Sequence, residues 1–389
     1  MNLVDLAIIG VLGLAAAHGV TQGAALQVLS FGGFWIGLLL GAAIAPYTQK
    51  LVMSPFGSAF VSLVTFLGFA LIGGAVGRYF GTHAWGALRR YQLGKADSIL
   101  GGVVAIGAAL MAIWLVALLL TAGPTQQIAQ AVHRSAIVRT LVNRLPPAPS
   151  VFARLQQFVS TTPFPRVFEG LEPIPAGPIA VPGPPVVQAA VSSAGRSTVR
   201  VTGFGCGGVQ TGSGFVVQPG NLVVTNAHVV AGIDAPQIED ASGTHRSVPV
   251  LFDPDLDVAV LRTTGLAGGP LAVLGDDAPN GQGGAVLGYP GGGNFNAVAA
   301  AVKRRFFATG RDIYNRNTTR REVYQLQARI RQGNSGGPFV RQDGTVLGVV
   351  FAASTTDGQV GYALTSSEIV PRIQQARASG EVDTGSCAA

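Results

Sequence analysis

A histidine, an aspartate and a serine occur in that order along the second half of the chain, each inside a short segment of mostly small and apolar residues. The three segments are Thr225–Val230, Asp253–Leu261 and Gly333–Pro338. A serine hydroxyl is a weak nucleophile at neutral pH and needs an adjacent base. An imidazole can take the serine proton and return it to a leaving amine, while a carboxylate on its other ring nitrogen fixes the tautomer. His228, Asp257 and Ser335 therefore predict hydrolysis through an acyl-enzyme.

The serine segment also offers backbone donors for a developing negative charge. We expect the N–H groups of Gly333 and Ser335 to bind the oxyanion, since glycine allows a backbone conformation that aims its N–H at that charge. Taken alone, Gly333–Pro338 would be an ordinary tight turn, because every residue type in it is common in turns. The coincidence with the other two segments favours catalysis.

Two further carboxylates, Asp253 and Asp255, are alternatives to Asp257 as the partner of the histidine. Asp257 is favoured because it directly precedes Val258–Leu261, an apolar run that predicts a buried strand. The site would then lie at the end of that strand.

The elements that must position these residues are short β strands. From about Val186 onward, short runs rich in β-branched residues alternate with Gly, Asn and Asp, and a helical pattern returns only in Ser366–Ala376. Such a pattern predicts an antiparallel barrel or sandwich.

Together the three segments resemble the chymotrypsin-fold serine proteases, most closely the bacterial envelope members of the HtrA kind, over roughly residues 200–375. The resemblance implies a double six-stranded β-barrel, with His228 and Asp257 on the first barrel and Ser335 on the second. It implies a serine endopeptidase that uses no cofactor and no metal.

The same resemblance implies where substrate binds. Phe351, Ala352 and Ala353 would form a strand that pairs with the substrate backbone. Arg329 lies near the floor of the family's specificity pocket, where no acid is found, so we expect an apolar or small residue before the cleaved bond. Asn334 replaces the Asp of zymogen-type digestive proteases, so activation by insertion of a new amino terminus is not expected.

Residues 1–122 have the composition of a membrane domain, with Asp5 and Asp97 as their only acids. Charged residues make up 12% of the chain, against about 25% in soluble proteins. Four charge-free stretches approach the roughly 20 residues that cross a bilayer: Leu6–Val20, Leu26–Ala45, Gly57–Gly77 and Ile99–Ala122. A cleaved signal peptide is the alternative for the first, but it lacks a basic start and three spans follow. We predict four transmembrane helices.

The loop at residues 78–95 holds four of the basic residues in this region, so the positive-inside rule places it in the cytoplasm and both termini outside. In hydropathy, in Asp5 and in its glycine-rich helices, the region resembles the colicin V production protein family. After it, residues 123–185 read as an amphipathic helix at 125–145 and a proline-rich linker, with the protease domain at 186–389.

A four-span anchor joined to a protease that lacks a PDZ domain resembles the membrane-anchored acid-resistance proteases of actinobacteria, of the MarP kind. This resemblance implies protection of the envelope in acid or oxidative stress. It implies extracytoplasmic protein substrates, including cell-wall hydrolases, and a lipid bilayer as the other partner. The alternatives are a signalling protease with one substrate and a membrane scaffold or secretion factor whose barrel binds peptides without cutting.

The net charge of +7 comes from scattered basic residues rather than from a Lys/Arg stripe with interleaved aromatics, so nucleic acid is not an expected partner. Cys206 and Cys387 are the only cysteines and lack metal-ligand spacing. The predicted topology places both in an oxidising compartment, where a disulfide is expected. Two unrelated thiols are the alternative.

Overall fold

The computed structural model describes residues 2–48, 55–121, 131–132, 134–145, 167–168, 172–173, 176–206 and 208–388. The chain divides into two units, one of residues 1–117 with 135–141 and one of residues 118–134 with 142–389. Residues 146–166, which hold much of the predicted proline-rich linker, lie outside the described residues. The predicted domain boundaries stay predictions.

Apolar helices make up the first unit. In the described residues they are α1 (Leu3–Gln22), α2 (Ala24–Thr48), α3 (Pro55–Arg90), α4 (Gly94–Thr121) and α5 (Ala136–Arg144). Within those residues three stretches are long and apolar enough to cross a membrane: Leu3–Gln22, Ala24–Gly41 and Gly94–Ala117. They indicate membrane anchoring. The prediction of four membrane-spanning helices stays a prediction.

Glycines allow α2 and α3 to approach closely. A Cβ on Gly33 would collide with the carbonyl group of Gly73, and a Cβ on Gly37 would collide with that of Phe69. Small residues at a spacing of four permit such contact between helix backbones.

Asp5 connects the start of α1 to the start of α5. It forms a capping box with Asn2, in which each side chain accepts a hydrogen bond from the other residue's backbone N–H. Its Oδ1 also accepts bonds from Ser135 Oγ at 2.6 Å and Ile137 N at 3.1 Å. Asp5 is fully buried, so this one carboxylate satisfies donors at the N-termini of two helices.

The second unit is a β domain built from two sheets. The strands of the first half are β1 (Thr198–Gly205), β2 (Gly208–Val217), β3 (Leu222–Thr225), β4 (Gln237–Asp240), β5 (Gly243–Arg246), β6 (Val248–Asp253) and β7 (Val258–Arg262). Those of the second half are β8 (Gly283–Gly288), β9 (Asn296–Arg311), β10 (Thr318–Gln327), β11 (Pro338–Val340), β12 (Val346–Ala353) and β13 (Val360–Thr365). Its helices are α6 (Pro184–Ala194), α7 (Ala227–Val230) and α8 (Ser366–Ala378).

The two halves differ in closure. The first half is a seven-stranded sheet in the order β5-β4-β1-β2-β3-β7-β6, and the second is a closed barrel in the order β10-β13-β12-β11-β8-β9. A six-stranded barrel was predicted for each half, whereas the first half is a sheet of seven strands, two of which are the β4–β5 hairpin at the edge of β1. Both cores are rich in buried valine, which suits pleated, buried surfaces.

The described end of the predicted linker packs on the second half. Phe168 stacks on Phe306 with ring centroids 6.0 Å apart. Glu172 is 6% exposed, and its carboxylate accepts hydrogen bonds from the Tyr362 hydroxyl at 2.5 Å and from Thr355 N at 2.9 Å. Burial and the neighbouring Glu172 charge raise the pKa of Tyr362. This part of the chain is therefore fixed to the β domain rather than a free spacer.

The C-terminal tail lies on the first half. Cys206 at the end of the β1–β2 hairpin forms a disulfide with Cys387, 181 positions later in the chain. Nearby, Thr384 Oγ1 donates to the Ile233 carbonyl oxygen at 3.0 Å, and Val382 N donates to that of Pro249 at 2.9 Å. The tail is thus hydrogen-bonded to the segment that follows α7.

We expect no titratable thiols in the non-reduced, denatured chain and two after reduction. Closing a loop of this length contributes about 5 kcal/mol in the chain-entropy model, less any strain. Cys206→Ser should therefore lower the thermal stability of the β domain, measured by calorimetry. Cys387→Ser should lower it equally, and the double variant no further, because all three lose the same bond. Two free thiols in the untreated protein would contradict the bond.

Candidate active site

His228 and Asp257 make a two-point contact. His228 Nδ1 donates to Asp257 Oδ2 at 2.7 Å, and the backbone N–H of His228 donates to Oδ1 of the same carboxylate at 2.9 Å. An ionised carboxylate only accepts, so Nδ1 carries the proton and Nε2 is left as the basic nitrogen. The arrangement suits a general base held in one tautomer.

The backbone of Asp257 is itself constrained. Its φ is +64°, in the left-handed region that only a few non-glycine residues adopt. Asn226 Nδ2 donates to the Asp257 carbonyl oxygen at 2.8 Å, and both residues are fully buried. Asn226 thereby holds Asp257 in a costly conformation beside the base. The sequence interpretation gave Asn226 no role, although it lies two residues before His228.

The two alternative carboxylates have other positions. Asp253 Oδ1 accepts bonds from the backbone N–H groups of Asp255 and Leu256, which stabilises the turn before β7. Its Oδ2 pairs with Arg372 at 3.0 Å. The side chain of Asp255 is exposed. Only Asp257 of the three reaches the histidine in the structure.

Ser335 lies in the loop of residues 331–337 (the serine loop), where each carbonyl oxygen from residue 331 to residue 335 accepts a hydrogen bond. The carbonyl oxygens of Gln332 and Asn334 accept bonds from Gly291 N at 2.7 Å and Gly337 N at 2.9 Å. Across a trans peptide the N–H points opposite to the C=O, so these bonds turn the N–H groups of residues 333 and 335 away from them. In the described residues, neither of those N–H groups donates a hydrogen bond.

Two glycines make this loop possible. Gly333 has φ of +89° and Gly336 φ of +81°, a region that side chains rarely adopt. A Cβ on Gly336 would also collide with the carbonyl oxygen of Ser213 and the hydroxyl of Thr225. Because Thr225 ends β3 just before α7, this close approach brings the serine loop of the second half against the segment that carries His228.

The predicted substrate strand has an open side. β12 pairs with β11 at residues 346–349 and with β13 along its other edge. In the described residues no strand pairs with 351–353 on the β11 side. The side chains of Phe351 and Ala352 are fully buried, so any substrate contact there would come from the backbone. The substrate-binding role of Phe351, Ala352 and Ala353 stays a prediction.

The buried guanidinium of Arg321 lies against the turn that precedes Asp257. It was not expected from the sequence, where nothing distinguishes Arg321 from its neighbours. Arg321 is 1% exposed; its Nε donates to the Asp255 carbonyl oxygen at 2.7 Å and its Nη2 to that of Arg311 at 2.8 Å. Burial lowers the pKa of Arg321, and the charge of Asp257 opposes that change. Arg321 thus balances part of the charge of the buried carboxylate.

A seven-stranded sheet and a closed barrel that bring a His–Asp pair and a serine loop together define a chymotrypsin-like serine endopeptidase. A family model described as "Trypsin-like peptidase domain" matches residues 212–349, and one described as "Colicin V production protein" matches residues 4–146. The chain is 34% identical over 389 residues to the serine protease Rv3671c of Mycobacterium tuberculosis, covering 98% of both chains. It therefore belongs to the family of membrane-associated, HtrA-like serine proteases that includes Rv3671c.

A solved structure and a relative that matches over a shorter stretch agree with this assignment. The crystal structure of the active form of the Rv3671c protease covers 56% of this chain and 99% of its own, at 37% identity and a TM-score of 0.52. A probable periplasmic serine endoprotease, DegP-like, from Rickettsia conorii is 32% identical over 184 residues, 46% of this chain and 36% of that protein.

Asp257→Asn should leave the fold intact and lower the turnover number about 10⁴-fold, because the amide favours the wrong imidazole tautomer. Hydrolysis of a fluorescent casein substrate measures the loss. Asp255→Asn is the matched control and should keep wild-type activity, since its side chain is exposed. Loss at position 255 with normal activity of Asp257→Asn would show that the other carboxylate is used.

Proposed function

We propose that the protein is a multi-pass membrane serine endopeptidase whose β domain lies outside the cytoplasm and cleaves envelope proteins. The observation that carries this proposal is the His228–Asp257 pair together with a serine loop in which the N–H groups of Gly333 and Ser335 bind no acceptor in the described residues. A peptide-binding scaffold has no need of either feature. The proposed catalytic residues are His228, Asp257 and Ser335.

In this proposal Ser335 Oγ attacks the carbonyl carbon of the cleaved bond while its proton passes to Nε2 of His228. Asp257 stabilises the imidazolium that forms, and the N–H groups of Gly333 and Ser335 bind the negatively charged oxygen. The C–N bond then breaks, and His228 gives the proton to the departing amine. Water, activated by the same imidazole, attacks the acyl-enzyme and restores Ser335 with release of the acid product.

Substrate binding follows from the open edge of β12. An extended peptide would add to residues 351–353 through backbone hydrogen bonds, which favours unfolded or loop segments over folded ones. On β13, which pairs along the other edge of β12, the buried Ile330 occupies the space that a Cβ on Gly361 would need. The Arg329 side chain is exposed. Such surroundings suit a small or apolar residue before the cleaved bond.

The apolar helices and the basic residues between positions 78 and 95 support the proposed placement in the membrane, although residues 78–90 lie in α3 rather than in the predicted loop. A domain so placed would meet extracytoplasmic proteins, including cell-wall hydrolases, and would be exposed to acid and oxidants in the surroundings. The disulfide is consistent with an oxidising compartment. We therefore propose a role in resistance to acid or oxidative stress.

Ser335→Ala should abolish both casein hydrolysis and labelling by a fluorophosphonate probe, because the nucleophile is gone. The disulfide and the thermal stability of the variant should match those of the wild type. Labelling of the Ser335→Ala protein at the wild-type rate would show that another residue is the nucleophile, and retained casein hydrolysis would have the same meaning.

A reporter that is active only outside the cytoplasm should work when it is fused after residue 389. It should be silent when inserted near Lys95, because the basic residues around the junction of α3 and α4 are retained inside. Both fusions should be expressed at equal levels, measured by immunoblot. The reverse pattern would place the protease in the cytoplasm and would end the proposal of an envelope role.

A further inference from the structure

Ser213 on β2 is fully buried, and each of its polar groups is bonded to a functional segment. Its hydroxyl donates to the Gly333 carbonyl oxygen at 2.6 Å and accepts from Tyr289 N at 2.9 Å. Its backbone N–H donates to the Ser335 carbonyl oxygen at 2.8 Å, and its own carbonyl oxygen accepts from Thr225 Oγ1 at 2.7 Å. One residue of the first half therefore reaches the serine loop at two points.

The direction of the hydroxyl bonds is fixed by chemistry. A backbone N–H can only donate, so the Ser213 oxygen accepts from Tyr289 and its single proton is available for Gly333. Serine satisfies both groups at once, whereas alanine at this position would leave the N–H of Tyr289 and the C=O of Gly333 without this partner. Such groups gain by rotating towards new partners.

Tyr289 begins the turn that holds the other side of Gly333. The turn Pro290–Gly292 follows it directly, and Gly291 N donates to the Gln332 carbonyl oxygen at 2.7 Å. That bond orients the peptide between Gln332 and Gly333, and hence the N–H of Gly333. The Ser213 hydroxyl thus acts on Gly333 from both sides, directly through its carbonyl group and indirectly through the turn at Tyr289.

We propose that Ser213 is the positioning residue of the oxyanion site, which it holds through the carbonyl groups of Gly333 and Ser335 and through the Tyr289 turn. The proposal rests on the proposed roles of Gly333 and Ser335. Ser213 touches no reacting atom. It keeps two N–H groups aimed at the place where charge develops, so that no reorganisation is needed during the reaction.

The test uses the full-length chain and a fluorophosphonate probe, whose phosphoryl oxygen occupies the oxyanion position as it reacts. Labelling rates at increasing probe concentration separate KI, which reports binding, from kinact, which reports the bond-forming step. Ser213→Ala should lower kinact about tenfold to a hundredfold, somewhat less than the loss of a direct donor, and should change KI by less than about threefold. Ser213→Cys keeps a weak donor of similar size, so its kinact should lie between those of the wild type and of Ser213→Ala.

Ser247→Ala is the matched control. Ser247 is also buried, and its hydroxyl donates to the Pro236 carbonyl oxygen at 2.7 Å, away from the serine loop. The Ser247→Ala variant should lose comparable thermal stability and keep the wild-type kinact. It therefore measures separately the structural effect of losing a buried hydroxyl.

Equal kinact values for folded Ser213→Ala and Ser247→Ala would overturn the proposal, and so would a change confined to KI. If Ser213→Ala does not fold, Ser213→Cys decides in its place, and a wild-type kinact for it overturns the proposal. A failure of the catalytic assignment gives a different result, because Ser335→Ala would then still be labelled whatever the Ser213 variants do.

Discussion

The N–H groups of Gly333 and Ser335 belong to buried residues and bind no acceptor in the described residues, and the β domain is arranged to keep them in that state. A backbone donor without a protein partner tends to turn towards any acceptor nearby. The neighbouring carbonyl groups prevent this because each is already bonded, to Gly291, Ser213 or Gly337. The stability of two packed sheets is thus used to hold a locally unfavourable arrangement.

This constraint explains why the site needs both halves of the domain. The base and its carboxylate come from the first sheet, and the nucleophile comes from the closed barrel. Ser213 and Thr225 on the first sheet meet Gly336 on the second at a distance that excludes any side chain there. The C-terminal tail, tied by its disulfide, packs on the segment after α7, so the end of the chain also supports the half that carries the base.

The sequence suggests the candidate residues but not the contacts between distant segments. His228, Asp257 and Ser335 could be proposed because each lies in a short segment of distinctive composition, and Asp257 could be preferred because a buried strand follows it directly. Periodicity gives the strands and the long apolar helices. Ser213, Asn226 and Arg321 act through hydrogen bonds to backbone groups of other segments, and such bonds leave no periodic or compositional signal. Glu172 was missed for the same reason, since a proline-rich segment predicts extended chain whether or not it packs on a domain.

The proposed mechanism depends most directly on whether the N–H groups of the serine loop bind a negatively charged oxygen. A crystal structure of the protein with a peptide boronic acid on Ser335 would measure this. We predict that one boron-bound oxygen lies about 2.7–3.1 Å from the backbone nitrogens of both Gly333 and Ser335. The hydrogen bonds from Gly291 to Gln332 and from Ser213 to Gly333 should be unchanged. An adduct in which the Gln332–Gly333 peptide is turned over, so that its carbonyl oxygen faces the boronate, would contradict the account.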